Sequence, residues 1–204
     1  MGALACALIV GGCGERREGA NAGETGATGS MATADTAAGA MSDSGSMSAG
    51  STSAMTDANI MALLDEANKA DSSSGALAAT KGTSPDVKAY GKLMMKDHHK
   101  MRVEGTQLAQ KQKIDPSPPA NDPVATMARE EATALQSAQK GADFDRTYIE
   151  QTIAGHQSVL DLLERSAGST TNPQIKALIE KARPEVQEHL TKAQAIQQKL
   201  SPSA

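Results

Sequence analysis

Apolar residues recur in steps of three and four through four long segments of this 204-residue chain, and no stretch alternates in steps of two. That periodicity builds amphipathic helices and excludes a half-buried sheet. The stripes read Ile60, Leu64, Ala67, Asp71, Ser74, Ala78; then Val87, Tyr90, Met94, His98, Met101, Gly105, Leu108; then Ile149, Thr152, Ile153, His156, Val159, Leu160, Leu163; and finally Ile175, Ile179, Ala182, Val186, His189, Ala193, Ile196. Each is interrupted near its centre by a group that can hold a metal or a proton. Four such helices packed as a bundle would turn Asp71, His98, His156 and His189 inward as candidate ligands. His99 lies about 100° around its helix from His98 and is expected at the surface.

Punctuation places the helices near 58–80, 84–113, 123–140, 144–167 and 173–200. Three of them open on a capping residue followed by proline, at Ser84-Pro85, Asp122-Pro123 and Asn172-Pro173. Gly82, Gly141 and Gly168 are expected to close segments in the left-handed conformation. The third helix is short and weakly apolar, so the other four make the bundle. Pro184 falls inside the last helix and is expected to bend it one turn before His189.

The chain divides sharply in composition. Between Gly14 and Asn59 there is no Leu, Ile, Val or aromatic residue, so residues 13–56 read as a disordered Ala/Gly/Ser/Thr/Met linker and the folded domain as 57–200. The linker methionines Met31, Met41, Met47 and Met55 are thioethers able to capture Cu(I), and ordinary members of a low-complexity tether besides. Ahead of the linker, the apolar run Ala3 to Val10 is too short to span a bilayer and leads into Val10-Gly11-Gly12-Cys13. This resembles a bacterial lipobox, although no Lys or Arg precedes the run. It implies a lipoprotein signal peptide over 1–12 and lipidation of Cys13. Cys6 then leaves with the signal, and no thiol remains for a disulfide. The expected location is the cell envelope, on the periplasmic side and, in a Gram-negative host, at the outer membrane, since Gly14 is not an Asp-type retention signal.

A net charge of −4 and only three aromatic residues, Tyr90, Phe144 and Tyr148, give no support to nucleic-acid binding. Di-iron carboxylate chemistry needs Glu three residues before histidine, and those positions hold Lys96, Met95, Ile153 and Val186. No triad context, phosphate loop or paired-carboxylate motif is present, so an enzyme is not expected. Three neutral imidazoles with a carboxylate suit zinc, and imidazole with thioether, as at Met94 and Met101 beside His98, suits copper. The competing reading is a non-catalytic structural or stress-related lipoprotein whose histidines form a buried polar layer.

Several stretches together resemble the ferritin-like domain-of-unknown-function family numbered 4142. They are Ser84-Pro85-Asp86-Val87-Lys88-Ala89-Tyr90, Met94-Met95-Lys96-Asp97-His98, Phe144-Asp145-Arg146-Thr147-Tyr148 with His156, and Pro184 with His189. The resemblance covers about residues 60 to 198 and implies a ferritin-like four-helix bundle with one additional short helix. In that family an Asp usually precedes the middle histidine, where this chain has Gly155.

Overall fold

The computed structural model describes residues 55–201 and is all-α. Its five helices are α1 (Asp57–Lys81), α2 (Pro85–Gln112), α3 (Pro123–Ser137), α4 (Ala142–Ser169) and α5 (Pro173–Leu200). The stretch read as a signal peptide, Cys13 and nearly all of the segment read as a linker lie outside the described residues. No helix among the described residues is long and apolar enough to cross a membrane.

Caps set most of the boundaries. Thr56 and Asn59 form a reciprocal capping box at the start of α1, each side chain taking the other's backbone N–H at 3.1 Å. Asp122 and Asn172 cap α3 and α5 with their own side chains. Ser84 makes no such bond. The buried Asp145 of α4 replaces it, accepting from Thr83 N–H (2.9 Å), Thr83 Oγ1 (2.6 Å) and Ser84 N–H (2.7 Å).

The glycine expectations need correction. Gly82 ends α1 at φ −55°, which is not left-handed; Gly168 lies within α4; and Gly141, at φ 124°, precedes α4 rather than closing α3. The left-handed cap belongs to Lys113 at φ 55°, after which Ile114 N–H reaches back to Ala109 O. That 6→1 bond fixes the end of α2 without a glycine. Helix α5 runs unbroken through Pro184.

Helices α1, α2, α5 and α4 follow one another around the bundle, neighbours antiparallel, with α3 laid against α1 and α4. Constant register shows the directions. Arg102 meets Asp65 and His98 meets Asn68 between α2 and α1, and Lys181 meets Glu104 while Lys199 meets Asp86 between α5 and α2. The tightest crossing is at Gly75 and Gly91, where a Cβ on either glycine would stand 2.6–2.7 Å from the other's carbonyl oxygen.

The interior divides into two apolar clusters. One, around Ile60, Leu64, Val159, Leu163, Ile179 and Val186, contains no aromatic residue. The other contains Tyr90, Phe144 and Tyr148 with Val87, Ile149 and Ala193. Between them, at the middle of the helices, lies the buried polar layer.

Candidate metal centre

His98, His156 and His189 come from the centres of α2, α4 and α5 and are 2%, 0% and 3% exposed. Their ring centroids stand 5.1–5.6 Å apart in all three pairings. One ring nitrogen from each lies within 4.8 Å of one from each of the others. Helical stripes on separate segments thus meet at one level, and His99 is exposed as expected.

Each ring has one nitrogen engaged by the protein. The Asn68 amide donates to Leu64 O at 2.7 Å, so its oxygen is the acceptor facing His98 Nδ1 at 2.9 Å, and that nitrogen carries the proton. His156 Nδ1–H donates to Thr152 O at 3.0 Å, and His189 Nε2–H donates to Asp97 Oδ2 at 3.2 Å. The other nitrogens, Nε2 of His98, Nε2 of His156 and Nδ1 of His189, are buried and have no hydrogen-bond partner. In neutral imidazoles these are lone pairs. Fixing one nitrogen as a donor and leaving the other as a base is the way proteins orient metal-binding histidines.

Burial favours the neutral form of His98 and His189. Burial pushes His98 down to about 4, with the Asp71 carboxylate opposing the shift and the two neighbouring imidazoles reinforcing it. His189 is lowered by burial, against the opposing pull of its bond to Asp97.

Asp71 occupies a different place from the one the stripe pattern implies. Its oxygens stand 3.6 Å from His98 Nδ1 and 3.8 Å from His156 Nδ1, beside the protonated edges of those rings. A carboxylate there supplies negative charge to two rings at once, while among the described residues the converging set is His98, His156 and His189. Sequence reasoning missed Asn68, Asp97 and Thr152. Asp97 stands about 100° around α2 from His98, and only the packing of α5 beside α2 brings it to His189. Glu131 of α3 was also missed; burial and then Asp71 raise its carboxyl to about 7. Met94 packs into the aromatic cluster, whereas Met101 lines an open cavity together with His98 and Asp71.

No curated protein matches the chain in sequence. A solved structure titled CopM in the Cu(I)-bound form superposes with a TM-score of 0.58 at 19% identity, covering 72% of this chain and 99% of that one. At that identity the likeness is one of fold. The family model described as Domain of unknown function (DUF4142) matches residues 42–196, and the chain belongs to that family.

Proposed function

We propose that this is a cell-envelope protein, tethered by lipid on Cys13, that binds a transition-metal ion, Zn(II) or copper, through His98, His156 and His189, without catalysing a reaction. One observation carries the metal reading: three buried imidazoles converge through ring nitrogens within 4.8 Å of one another, and each has one nitrogen without a hydrogen-bond partner. Leaving a buried polar atom unsatisfied costs about 1–3 kcal/mol, and a shared cation answers all three at once. The ring nitrogens, within 4.8 Å of one another, would hold the ion by closing further around it. Asp71 offsets part of the ion's charge, and Asn68, Thr152 and Asp97 hold the rings in the required tautomer. That a structure of this fold carries Cu(I) favours copper among the candidates.

The test is thermal unfolding of untagged protein with and without Zn(II) and Cu(I). A ligand at a hundred times its Kd stabilises the native state by about 2.7 kcal/mol, a rise of roughly 5–10 °C for a domain of this size. His98→Ala, His156→Ala or His189→Ala should each remove most of that rise, and His99→Ala none. The second reading, a structural polar layer, draws on the bond each ring already makes within the protein. It predicts no response to either metal and a loss of about 1–3 kcal/mol for each variant in metal-free buffer.

A further inference from the structure

The aromatic-free half of the bundle contains an open cavity of about 760 Å³, far more than an ion needs. His98 and Asp71 line it, and neither His156 nor His189 does. Acidic Asp65, Glu66, Glu104, Asp115, Asp122 and Glu185 outnumber Arg102 and Lys181 along its walls. Arg102 pairs with Asp65, Lys181 with Glu104 and Lys100 with Glu185, so the surplus is Glu66, Asp115 and Asp122, and a recess with that balance attracts cations.

Two soft donors line the same cavity, Met61 of α1 and Met101 of α2. The antiparallel register sets Met61 against Gly105, whose missing side chain leaves the Met61 methyl as the only group within 4 Å of a Cβ placed there, at 3.9 Å. Met61 therefore reaches across onto α2. Along α2, Gly105 to Met101 is a rise of about 6 Å and Met101 to His98 about 4.5 Å. The Met61 methyl, set against Gly105, thus lies about one helical turn along α2 from Met101, and Met101 about one turn from His98.

We infer that Met61 and Met101 form a binding site for a soft monovalent cation in this cavity, one step from His98. The ion is of the Cu(I) or Ag(I) class, because thioethers hold soft cations and discriminate against Zn(II). The inference deepens the reading of the histidine centre and rests on it for the ion's destination. No bond is made or broken beyond exchange of ligands on the ion.

Ag(I), which is redox-inert, is the probe. In the full chain labelled with ¹³C at the methionine methyls, Met61→Leu and Met101→Leu assign the two resonances, and Leu keeps the side-chain volume so that both variants fold. Added Ag(I) should shift both methyls and Zn(II) neither, and the Met61 shift should be lost in Met101→Leu. Unmoved methyls overturn the site, and so does a Met61 shift that persists in Met101→Leu. The histidine ring nitrogens, followed in the same samples, report the other reading separately: rings unmoved by Ag(I), Cu(I) and Zn(II) while the methyls shift would sink the histidine centre and leave the thioether site standing.

Discussion

Each of the three central histidines has one nitrogen committed to a protein acceptor and one left over, and both halves of that arrangement can be tested. Asp97→Asn keeps the shape and removes the charge that orients and strengthens His189, so metal affinity should fall about 10–100-fold by calorimetric titration with the fold retained. Acid should destabilise the metal-free protein. His98 titrates near 6.5 when unfolded and about 4 when folded, so below 6.5 the unfolded chain binds the extra proton and stability falls with pH. The loss develops from about pH 6.5 downward and is complete below about 4. At about 1.4 kcal/mol per unit it amounts to roughly 3 kcal/mol from this residue. Urea unfolding of metal-free protein at pH 7 and pH 5, by which point about 2 kcal/mol of the loss has developed, reads it, and equal midpoints would refute the buried neutral imidazole.

Helices α1 and α2 touch through Gly75 and Gly91, and this crossing sets the register that brings Asp71 and Asn68 to His98. Gly91→Ala puts a methyl within 2.6 Å of a backbone oxygen. It should cost at least about 1–3 kcal/mol, because backbone must move to admit it. Gly155→Ala is the contrasting case: nothing lies within 4 Å of the added methyl, so the ordinary helix preference for alanine should raise stability by about 0.5–1 kcal/mol. Denaturant midpoints of the two variants read these opposite signs. Asp145→Ala removes the acceptor for Thr83 and Ser84 from across the bundle, and the same measurement should show a loss of at least about 2 kcal/mol.

At the scale of the molecule, the aromatic side chains gather at one end and the large cavity at the other, with the histidine layer between. Large rings fill the interior at the first end; aliphatic side chains and Gly105 leave it open at the second. The histidine layer thus stands between packed rings and an open recess that His98 borders. The proposed tether is separable from this body. Cys13→Ser should leave thermal unfolding of the bundle unchanged and move the protein from the detergent-extracted membrane fraction to the soluble fraction. Retention in the membrane fraction would remove the lipid anchor from the proposal.

The sequence by itself determined the helices, their buried faces and the three inward histidines, because a period of 3.6 residues and local caps are properties of neighbouring residues. It did not determine what each histidine touches. Asn68 and Asp97 lie 30 and 92 residues from their ring partners, Asp145 caps α2 from 61 residues away, and the chain between carries no trace of those pairings. The stripe placed Asp71 among the ligands because a stripe gives direction and not depth. The tertiary structure set its carboxylate beside the protonated edges of two rings, since the close Gly75–Gly91 crossing fixes how far α1 slides along α2. The left-handed turn likewise fell to Lys113 instead of a glycine, where the bond from Ile114 to Ala109 and the packing of Ile114 on the core hold a conformation that local preference alone disfavours.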